Sequence, residues 1–578
     1  MKKLNLGHSD FKDIIQNNNY FVDKSLFIEE ILNSQKAVLL LPRPRRFGKT
    51  LNLSMLKYFF DKSEPENENL FKGLQIWQTG IDIKQHCCKY PVISLTFKDA
   101  KASTWSKTFE HIKLEISKAY QQHYYLLENN TLHSYEKKEF KKILNKTAND
   151  INFESSIKLL CEYLQRYHNE KVVVLIDEYD APIQAGYTSF YETVVAFIRS
   201  LLSGTFKDNS NLYKGIITGI LRISKESIFS GLNNVSAYPV TKNRFSDKFG
   251  FTKSETKQVL SDFNIKTDIE QIKKWYDGYK FGNSENIYNP WSILSYVIEH
   301  EDGFDTFWAN TSSDELIKKQ LKGKNANYTR QELLKLINNE TIEKDIEENF
   351  VFTDLESDKE LLWTLLLYSG YLTIKNKISQ KKYELAIPNY EIKTIFQNTI
   401  LYWLKVDVKI HKTLLENTAN SLIVNNIKGF EIGFKQIIGD TFSYFDTAKN
   451  HEYVYHSYIL GLLAIIGDDY IIKSNKESGE GRYDILLIPH DKTKNGIVIE
   501  IKQISKQQEN ENNNEFVERI NKQINLALNQ INKNKYYKEL IENKIIKVPI
   551  VFAGKEPYIT EQKAKAKNRK KNNNTSIT

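Results

Sequence analysis

The stretch Val38-Leu-Leu-Leu-Pro-Arg-Pro-Arg-Arg-Phe-Gly-Lys-Thr50 joins an apolar run to a loop that ends in Gly-Lys-Thr. The apolar run predicts a buried strand, and the loop is typical of one whose main-chain N–H groups wrap phosphates. In such loops the lysine, here Lys49, reaches phosphate oxygens and the hydroxyl of Thr50 binds Mg²⁺. A helix is expected from 51 to 60, with its N-terminal dipole favouring the phosphates. Arg43 stands where the motif usually has its first glycine, so the match covers only the second half of the motif.

A second motif supports this interpretation. Val172-Val-Val-Leu-Ile-Asp-Glu178 is an apolar run that ends in two acids. At the end of a buried strand, Asp177 would complete the Mg²⁺ shell and Glu178 would polarise the attacking water. The alternative is a core strand with a capping aspartate. The order of strand, loop, helix and acid pair favours the nucleotide site.

Two further residues extend the expected site. Thr218, near the end of a later strand, would sense the γ-phosphate, or would be a plain buried hydroxyl. Arg222 would be an arginine finger or sensor, with a surface salt bridge as the alternative. Asp23 is expected to cap a helix rather than bind a ligand. The full set of expected nucleotide-binding residues is Arg46, Phe47, Gly48, Lys49, Thr50, Leu51, Asp177, Thr218 and Arg222.

The arrangement of apolar runs predicts the fold class. Four such runs, at 37–41, 91–97, 171–176 and 214–220, alternate with helical stretches. Near-continuous apolar strands are typical of parallel sheets covered on both faces, so the first ~240 residues are expected to form an α/β domain. From 251 to about 400 the pattern is mostly helical. A helix, a hairpin, a long helix and a final strand then follow, which indicates a second, smaller α/β domain.

The hairpin near the end of the chain carries a second candidate site. Asp484 begins one strand, and the next contains Glu500-Ile-Lys502. Alternation along a strand places Glu500 and Lys502 on one face, and the short turn brings Asp484 to the same end. Carboxylates that hold hard cations beside a lysine are what phosphodiester hydrolysis requires, so Asp484 and Glu500 are expected metal ligands and Lys502 a charge-stabilising residue. The alternative is a surface hairpin with an ordinary Glu/Lys pair.

Composition sets the remaining limits. The chain has 578 residues and a net charge of +9, which permits nucleic-acid binding without requiring it. A basic face from Arg482, Lys502, Lys506, Lys522, Lys533 and Lys535 would contact phosphates, or would simply be solvated. Three cysteines, no secretory signal and no apolar run of membrane-spanning length favour a cytoplasmic protein with no membrane contact.

Several longer motifs together resemble one known family. They are Phe21–Ser25, Arg43–Thr50, Leu175–Pro182, Thr218–Asn234, Trp275–Gly282, Tyr288–Ser292 and Trp308–Ser312. The chain is similar to the bacterial AAA-ATPase-like family, whose ATPase part is usually followed by a PD-(D/E)xK nuclease-superfamily domain. The resemblance implies ATP and Mg²⁺ as cofactors and adds Glu452 as a further metal-binding acid. It also implies Gln530 as a neighbour of the nuclease site, and His456 shares the helix face of Glu452.

These expectations define the predicted architecture and function. We expect an AAA-ATPase-like P-loop domain over 1–245, a helical lid or linker domain over 246–400, a nuclease-like domain over 401–556 and a basic, disordered tail over 557–578. The expected activity is ATP hydrolysis coupled to metal-dependent cleavage of DNA, with Glu178, Asp484, Glu500 and Lys502 as catalytic residues. DNA is preferred to RNA because nothing in the sequence reads a 2′-hydroxyl.

Two other functions stay open at this point. The ATPase could drive a conformational switch whose C-terminal domain binds nucleic acid or a protein without cutting. The chain could also be a secreted effector of an intracellular bacterium. AAA-type sites often lie between subunits, so a homo-oligomer is possible and Arg222 could act in cis or in trans.

Overall fold

The computed structural model describes most of the chain. The described residues are 2–223, 234–308, 327–337, 339–348, 350, 352–356, 358, 360–406, 411–442, 459, 462–463, 466, 469–474, 477–478, 481–482, 484–508, 510–533, 544–554 and 556–559. Contacts divide the chain into two compact units. The first comprises Met1–Ser312 and Thr341–Lys393, and the second comprises Ser313–Glu340 and Thr394–Thr578, so the chain passes between the units three times.

A five-stranded parallel sheet organises the first unit. Its strands are β1 (Val38–Pro42), β2 (Val92–Thr96), β3 (Val172–Asp177), β4 (Leu212–Gly219) and β5 (Val235–Ala237). They lie in the order β2-β3-β4-β1-β5, and every neighbouring pair is parallel. All residues of β1 and β3 are buried, which explains their continuous apolar sequences. The predicted parallel-sheet α/β class is confirmed.

Helices precede, connect and follow these strands. They are α1 (Phe11–Gln16), α2 (Leu26–Leu32), α3 (Lys49–Phe60), α4 (Ile81–Lys84), α5 (Trp105–Gln122), α6 (Ser134–Leu144), α7 (Asp150–His168), α8 (Ala181–Gly186) and α9 (Tyr191–Phe206). Short 3₁₀ turns occur at Pro65–Leu70, Gln75–Gln78, Tyr124–Leu127 and Thr353–Glu356. Several helices begin at residues that the sequence marks as caps. Thr104 accepts a hydrogen bond from the main chain of Lys107, and Asn149 accepts one from Asn152.

The region from 246 to 400 contains strands as well as the predicted helices. The helices are α10 (Lys253–Asp262), α11 (Ile269–Tyr276), α12 (Pro290–Ile298), α13 (Asn327–Ile337), α14 (Leu361–Ser369) and α15 (Tyr390–Val406). One hairpin pairs β6 (Tyr279–Phe281) with β7 (Ser284–Ile287), and β8 (Ile342–Asp345), β9 (Thr373–Lys377) and β10 (Lys382–Ala386) form an antiparallel sheet. Within the described part of this region, the predicted helices are thus accompanied by five short strands that the sequence pattern did not indicate. Residues 246–312 and 341–393 belong to the same compact unit as the parallel sheet.

A mixed sheet organises the second unit. Its strands are β11 (Tyr470–Ser474), β14 (Ile485–Pro489), β15 (Gly496–Ile504), β16 (Ile545–Ala553) and β17 (Glu556–Ile559), in that spatial order; β12 (Glu477–Ser478) and β13 (Gly481–Arg482) form a separate small hairpin. Three further helices of the unit are α16 (Lys412–Ile423), α17 (Ile427–Phe442) and α18 (Asn513–Lys533), and α13 and most of α15 also belong to it. The pair β15 and β16 is parallel, with α18 between them in the chain, whereas the other neighbours are antiparallel.

The predicted hairpin, long helix and final strand correspond to β14, β15, α18 and β16, whereas the edge strands β11 and β17 were not predicted. The predicted helix at 452–466 and the basic tail lie largely outside the described residues. Among the helices that the structure describes, none has the length and apolar character that a bilayer crossing requires.

Candidate functional site

The loop that the sequence predicts to bind phosphates joins β1 to α3. Gly48 precedes the first turn of α3 and has a φ of 83°, in the left-handed region that glycine adopts without strain. Arg46 also has a positive φ, 66°, which costs energy for a residue with a side chain. The loop therefore turns sharply into the N-terminus of α3, where main-chain N–H groups are available to an anion.

Arg43, at the position of the usual first glycine, is a structural residue of this loop. Its side chain is fully buried. The guanidinium donates hydrogen bonds to the main-chain oxygens of Pro42, Tyr238 and Phe245, at 2.7, 2.6 and 3.0 Å, and lies 4.9 Å from the ring centre of Phe249. Burial lowers the pKa of Arg43 to about 9. Where the usual motif has a flexible glycine, this chain thus has an arginine whose side chain links the loop to the segment 238–249 by hydrogen bonds and ring contact.

Three of the expected nucleotide-site residues meet at the ends of β3 and β4. The hydroxyl of Thr50 donates to Oδ2 of Asp177 at 2.6 Å, and the hydroxyl of Thr218 donates to Oδ1 of the same carboxylate. Asp177 is almost fully buried. A carboxylate beside a hydroxyl at the end of such a loop is the donor set that Mg²⁺ prefers, so these residues fit the implied metal.

Lys49 and Glu178 carry opposite charges next to this cluster. Lys49 is buried, and its Nζ donates to the main-chain oxygens of Arg43 and Pro44 at 3.1 and 2.9 Å. Burial lowers the pKa of Lys49, although the carboxylates of Glu178 and Asp177 oppose this. Burial opposes the ionisation of Glu178, but Lys49 and Lys101 outweigh it and lower the pKa of that carboxyl below its usual value. The carboxyl of Glu178 is therefore ionised at neutral pH. The backbone of Glu178 has a φ of 49°, a strained conformation that is often found at active sites.

The next two residues of the acidic motif fix the end of β4. Asp180 accepts hydrogen bonds from the main-chain N–H groups of Ile220 and Leu221, at 2.9 and 3.1 Å. The hydroxyl of Tyr179 donates to the main-chain oxygen of Leu221 at 2.8 Å. The structure places Arg222, just beyond, in an ion pair with Glu348 at 3.9 Å. A finger or sensor role for Arg222 stays a prediction.

A cavity of about 210 Å³ opens beside the loop. Its wall includes five of the expected residues, namely Arg46, Phe47, Gly48, Thr50 and Leu51. The wall also includes residues that sequence reasoning missed, among them the N-terminal segment 4–9, residues 20–22 and Trp291 on α12. The guanidinium of Arg46 lies 4.0 Å from the ring centre of Trp291. The Asn-Pro-Trp motif was a usable signal, because Asn289 caps α12 and so fixes the position of Trp291.

The second candidate site lies where β14 begins and β15 nears its end. Oδ2 of Asp484 accepts a hydrogen bond from the main-chain N–H of Ile501 at 2.7 Å. Nζ of Lys502 lies 2.9 Å from Oε1 of Glu500. The antiparallel register pairs Ile485 with Ile499, which brings Asp484 beside Glu500. The structure thus brings together the three residues that the sequence predicted.

Glu500 is placed as a cation ligand would be. It is 1% exposed, and its Oε2 has no hydrogen-bond partner among the described residues. Burial and the neighbouring charge of Asp484 raise the pKa of Glu500 to about 7, although Lys502 opposes the shift. A buried carboxylate oxygen without a partner is costly, and a divalent cation between Glu500 and Asp484 would satisfy it. These residues therefore fit a metal ion.

Two known families match parts of this chain. Residues 5–229 match the family described as "Predicted AAA-ATPase". Residues 450–562 match the PD-(D/E)XK nuclease superfamily. The chain carries an AAA-ATPase-like domain and a PD-(D/E)XK nuclease-superfamily domain. A similar protein is the uncharacterized protein in the vnfD 5′ region of Azotobacter chroococcum mcd 1, which is 26% identical over 406 residues, covering 69% of this chain and 70% of that protein.

The remaining predictions for the nuclease-superfamily domain have mixed outcomes. Glu452, His456, Lys535 and the side chain of Arg482 lie outside the described residues. Gln530 is half-buried near the end of α18, next to Ile531, which packs with Leu486 and Val498 beneath the hairpin. Lys506, Lys522 and Lys533 are exposed. Within the described part of the chain, no group of three or more His, Cys, Asp or Glu side chains gathers to hold a metal.

Proposed function

We propose that the AAA-ATPase-like domain binds and hydrolyses Mg²⁺-ATP, and that the nuclease-superfamily domain cleaves DNA in a reaction that requires a divalent cation. The observation that carries the nuclease half is the buried Glu500, with one unsatisfied oxygen, between Asp484 and Lys502. A binding surface gains nothing from burying a carboxylate oxygen without a partner, whereas a metal site requires such oxygens.

In the ATPase half, main-chain N–H groups of the loop at 46–50 would bind the phosphates, and Lys49 would exchange its main-chain partners for phosphate oxygens. Thr50 and Asp177 would hold Mg²⁺, which offsets the charge on the phosphates. Glu178 would orient and polarise the attacking water, as its ionised state allows. The base and ribose would occupy the cavity that Trp291 and the N-terminal segment line.

In the nuclease half, Asp484 and Glu500 would hold the divalent cation, which makes a bound water more acidic and offsets charge on the phosphate. Lys502 would place its ammonium group beside the scissile phosphate. The hydrogen bond from the main-chain N–H of Ile501 orients Asp484 before any ligand binds. ATP binding or hydrolysis would gate or position this reaction.

The test uses the purified full-length protein with supercoiled and linear duplex DNA, in Mg²⁺ or Mn²⁺, with and without ATP. Asp484→Asn, Glu500→Gln and Lys502→Ala are each expected to lower cleavage by roughly 100-fold or more. Glu518→Gln is the matched control, because Glu518 is an exposed carboxylate on α18 of the same unit. Equal cleavage by the wild type and Asp484→Asn would contradict the site.

The same experiment tests the coupling. Cleavage that changes with ATP in the wild type, but not in Lys49→Ala, would support it. Tight DNA binding without cleavage under every condition would instead support an ATP-driven switch whose C-terminal domain only binds.

A further inference from the structure

A second concavity lies close to the nuclease residues in the same unit. It has a volume of about 640 Å³ and lies at the carboxyl ends of β15 and β16, where Ile504 pairs with Ala553. Ala553 and Lys506 both line it. Lys506 follows Lys502 by four residues, so their Cα atoms are at most about 14 Å apart. A DNA strand with its scissile phosphate at Lys502 would therefore reach this concavity within a few nucleotides.

Aromatic rings form one wall of the concavity. Phe516, on α18, and Tyr558, on β17, are half-buried, with ring centres 6.1 Å apart and an interplanar angle of 84°. Nζ of Lys435, on α17, lies 5.0 Å from the ring centre of Tyr558. Aromatic rings with a cation nearby are the surfaces on which unstacked bases pack in single-strand-binding proteins.

The charges around the concavity suit a neutral base better than a bare phosphate. Lys435 and Lys506 line it, but so does Glu556, and Lys435 is paired with Glu431 at 3.0 Å. The lysines and the carboxylates therefore nearly balance. Lys506, four residues after Lys502, is exposed and would contact the backbone phosphate that leads to the base.

We infer that this concavity binds an unpaired base of the DNA substrate, a few nucleotides from the scissile phosphate. This inference rests on the nuclease activity proposed above. A base within a duplex is stacked on both faces and paired along its edge, so it cannot enter a pocket lined by Phe516 and Tyr558. The substrate class would therefore be DNA with unpaired nucleotides, such as single strands, flaps or frayed ends.

Gly439 provides a way to block the concavity without removing any group that forms it. It lies on α17 at the edge of the concavity, and a Cβ atom added there would meet no heavy atom within 4 Å. Gly439→Phe would fill space that is otherwise open to the ligand. Gly439→Ala is the matched control, because it adds a single carbon and favours the helix.

The experiment measures binding by fluorescence anisotropy, with Ca²⁺ in place of Mg²⁺ to suppress cleavage. The probes are a labelled single-stranded oligonucleotide and the blunt duplex of the same sequence, each with the full-length protein. Gly439→Phe and Tyr558→Ala are expected to weaken single-strand binding about tenfold and to leave duplex binding unchanged. Gly439→Ala and Tyr558→Phe, which keeps the ring, should stay within about twofold of the wild type.

Single-strand affinity that is unchanged in both Gly439→Phe and Tyr558→Ala would overturn the inference. So would an equal loss of affinity for both probes. Asp484→Asn in the same assay keeps the two proposals separate. If cleavage depends on Asp484 while Gly439→Phe binds single strands normally, the nuclease stands and the base-binding site falls. If no cleavage occurs but Gly439→Phe still weakens single-strand binding, the site stands and the nuclease falls.

Discussion

Basic residues in the phosphate loop have different tasks. Arg43 is buried and donates hydrogen bonds to three main-chain oxygens, so its side chain stabilises the conformation of the loop. Arg46 is exposed, lies against Trp291 and lines the cavity, so its charge is available to a ligand. The difference follows from burial, because a guanidinium that is removed from water must donate its hydrogen bonds to protein acceptors around it.

Restoring the usual glycine at position 43 should therefore weaken the protein. Arg43→Gly leaves three carbonyl groups without their donor, and we expect the free energy of unfolding to fall by about 3 kcal/mol. Arg46→Gly is the control, because a glycine relieves the positive φ at that position. Its stability should stay within about 1 kcal/mol of the wild type. Chemical denaturation without nucleotide measures both, and an equal effect of the two variants would contradict the structural role of Arg43.

Glu178 offers the sharpest test of the ATPase site. Glu178→Gln keeps the size of the side chain but removes the charge that Lys49 and Lys101 stabilise. We expect ATP hydrolysis to fall roughly 100-fold while ATP affinity changes little. Glu192→Gln, at an exposed position on α9, should behave as the wild type. A variant at 178 that hydrolyses ATP normally would assign the water-activating role to another group.

At the scale of elements, a glycine allows two segments that are distant in sequence to approach each other closely. Gly278 follows α11 with a φ of 100°, and a Cβ atom added there would lie 1.9 Å from the main-chain oxygen of Pro388. The side chain of Asn389 donates to the main-chain oxygen of Asp277 at 2.8 Å. The Trp-Tyr-Asp-Gly motif thus joins α11 and β6 to the chain that enters α15.

Gly278→Ala should destabilise the first unit by at least about 3 kcal/mol, because it adds a steric clash to backbone strain. Gly303→Ala separates the two effects. Gly303 has a similar φ of 92°, but a Cβ atom there would meet nothing within 4 Å. Its cost should be only the strain, about 1–2 kcal/mol. Thermal unfolding compares the variants, and equal losses would mean that the contact with Pro388 is unimportant.

The elements differ in how well the sequence predicted them. The parallel strands were predictable because burial on both faces leaves unbroken apolar runs such as Val172–Ile176. The hairpin of β14 and β15 was predictable because its short turn fixes the register of Asp484 and Glu500. The short strands β6 to β10 were missed, since three to five partly exposed residues carry little periodicity.

Features that depend on contacts between distant segments were not predicted from the sequence. The cavity beside the phosphate loop joins residues 4–9 to Trp291, which share no motif. Whether Oε2 of Glu500 finds a hydrogen-bond partner depends on which groups cover the mixed sheet of the second unit. The pattern of residues along a strand does not give that information.

At the scale of the whole molecule, a buried carboxyl couples stability to pH. Glu391 is 1% exposed and accepts hydrogen bonds from the main-chain N–H of Trp308 and the hydroxyl of Ser292, at 2.6 and 2.8 Å. Burial raises its pKa from 4.5 to about 7, because the hydrogen bonds only partly offset the loss of solvation. The folded protein therefore binds a proton more tightly than the unfolded chain does.

This coupling predicts that stability falls as the pH rises. The raised pKa contributes about 3 kcal/mol below pH 4.5, and this is lost as the pH rises to about 7 and above. Glu391→Gln should remove this part of the slope, because a glutamine side chain does not ionise. The variant keeps the local hydrogen bonds, since the hydroxyl of Ser292 can accept from the amide group where it now donates to the carboxylate. Glu301→Gln, at an exposed carboxylate, should keep the wild-type slope. Chemical denaturation between pH 5 and 8 measures how the free energy of unfolding depends on pH. An unchanged slope in Glu391→Gln would show that the carboxyl of Glu391 has its ordinary pKa.

The three passages of the chain between its two units restrict how a gene for this protein can be divided. The buried side chains Leu333 and Leu336, on α13, belong to the second unit although they precede Thr341–Lys393 of the first. A fragment that starts at Thr394 would carry the hairpin of β14 and β15 but lose α13. A fragment that stops at Ser312 would lack β8 to β10 and the carboxyl of Glu391. Neither unit is therefore encoded by one uninterrupted stretch of the gene.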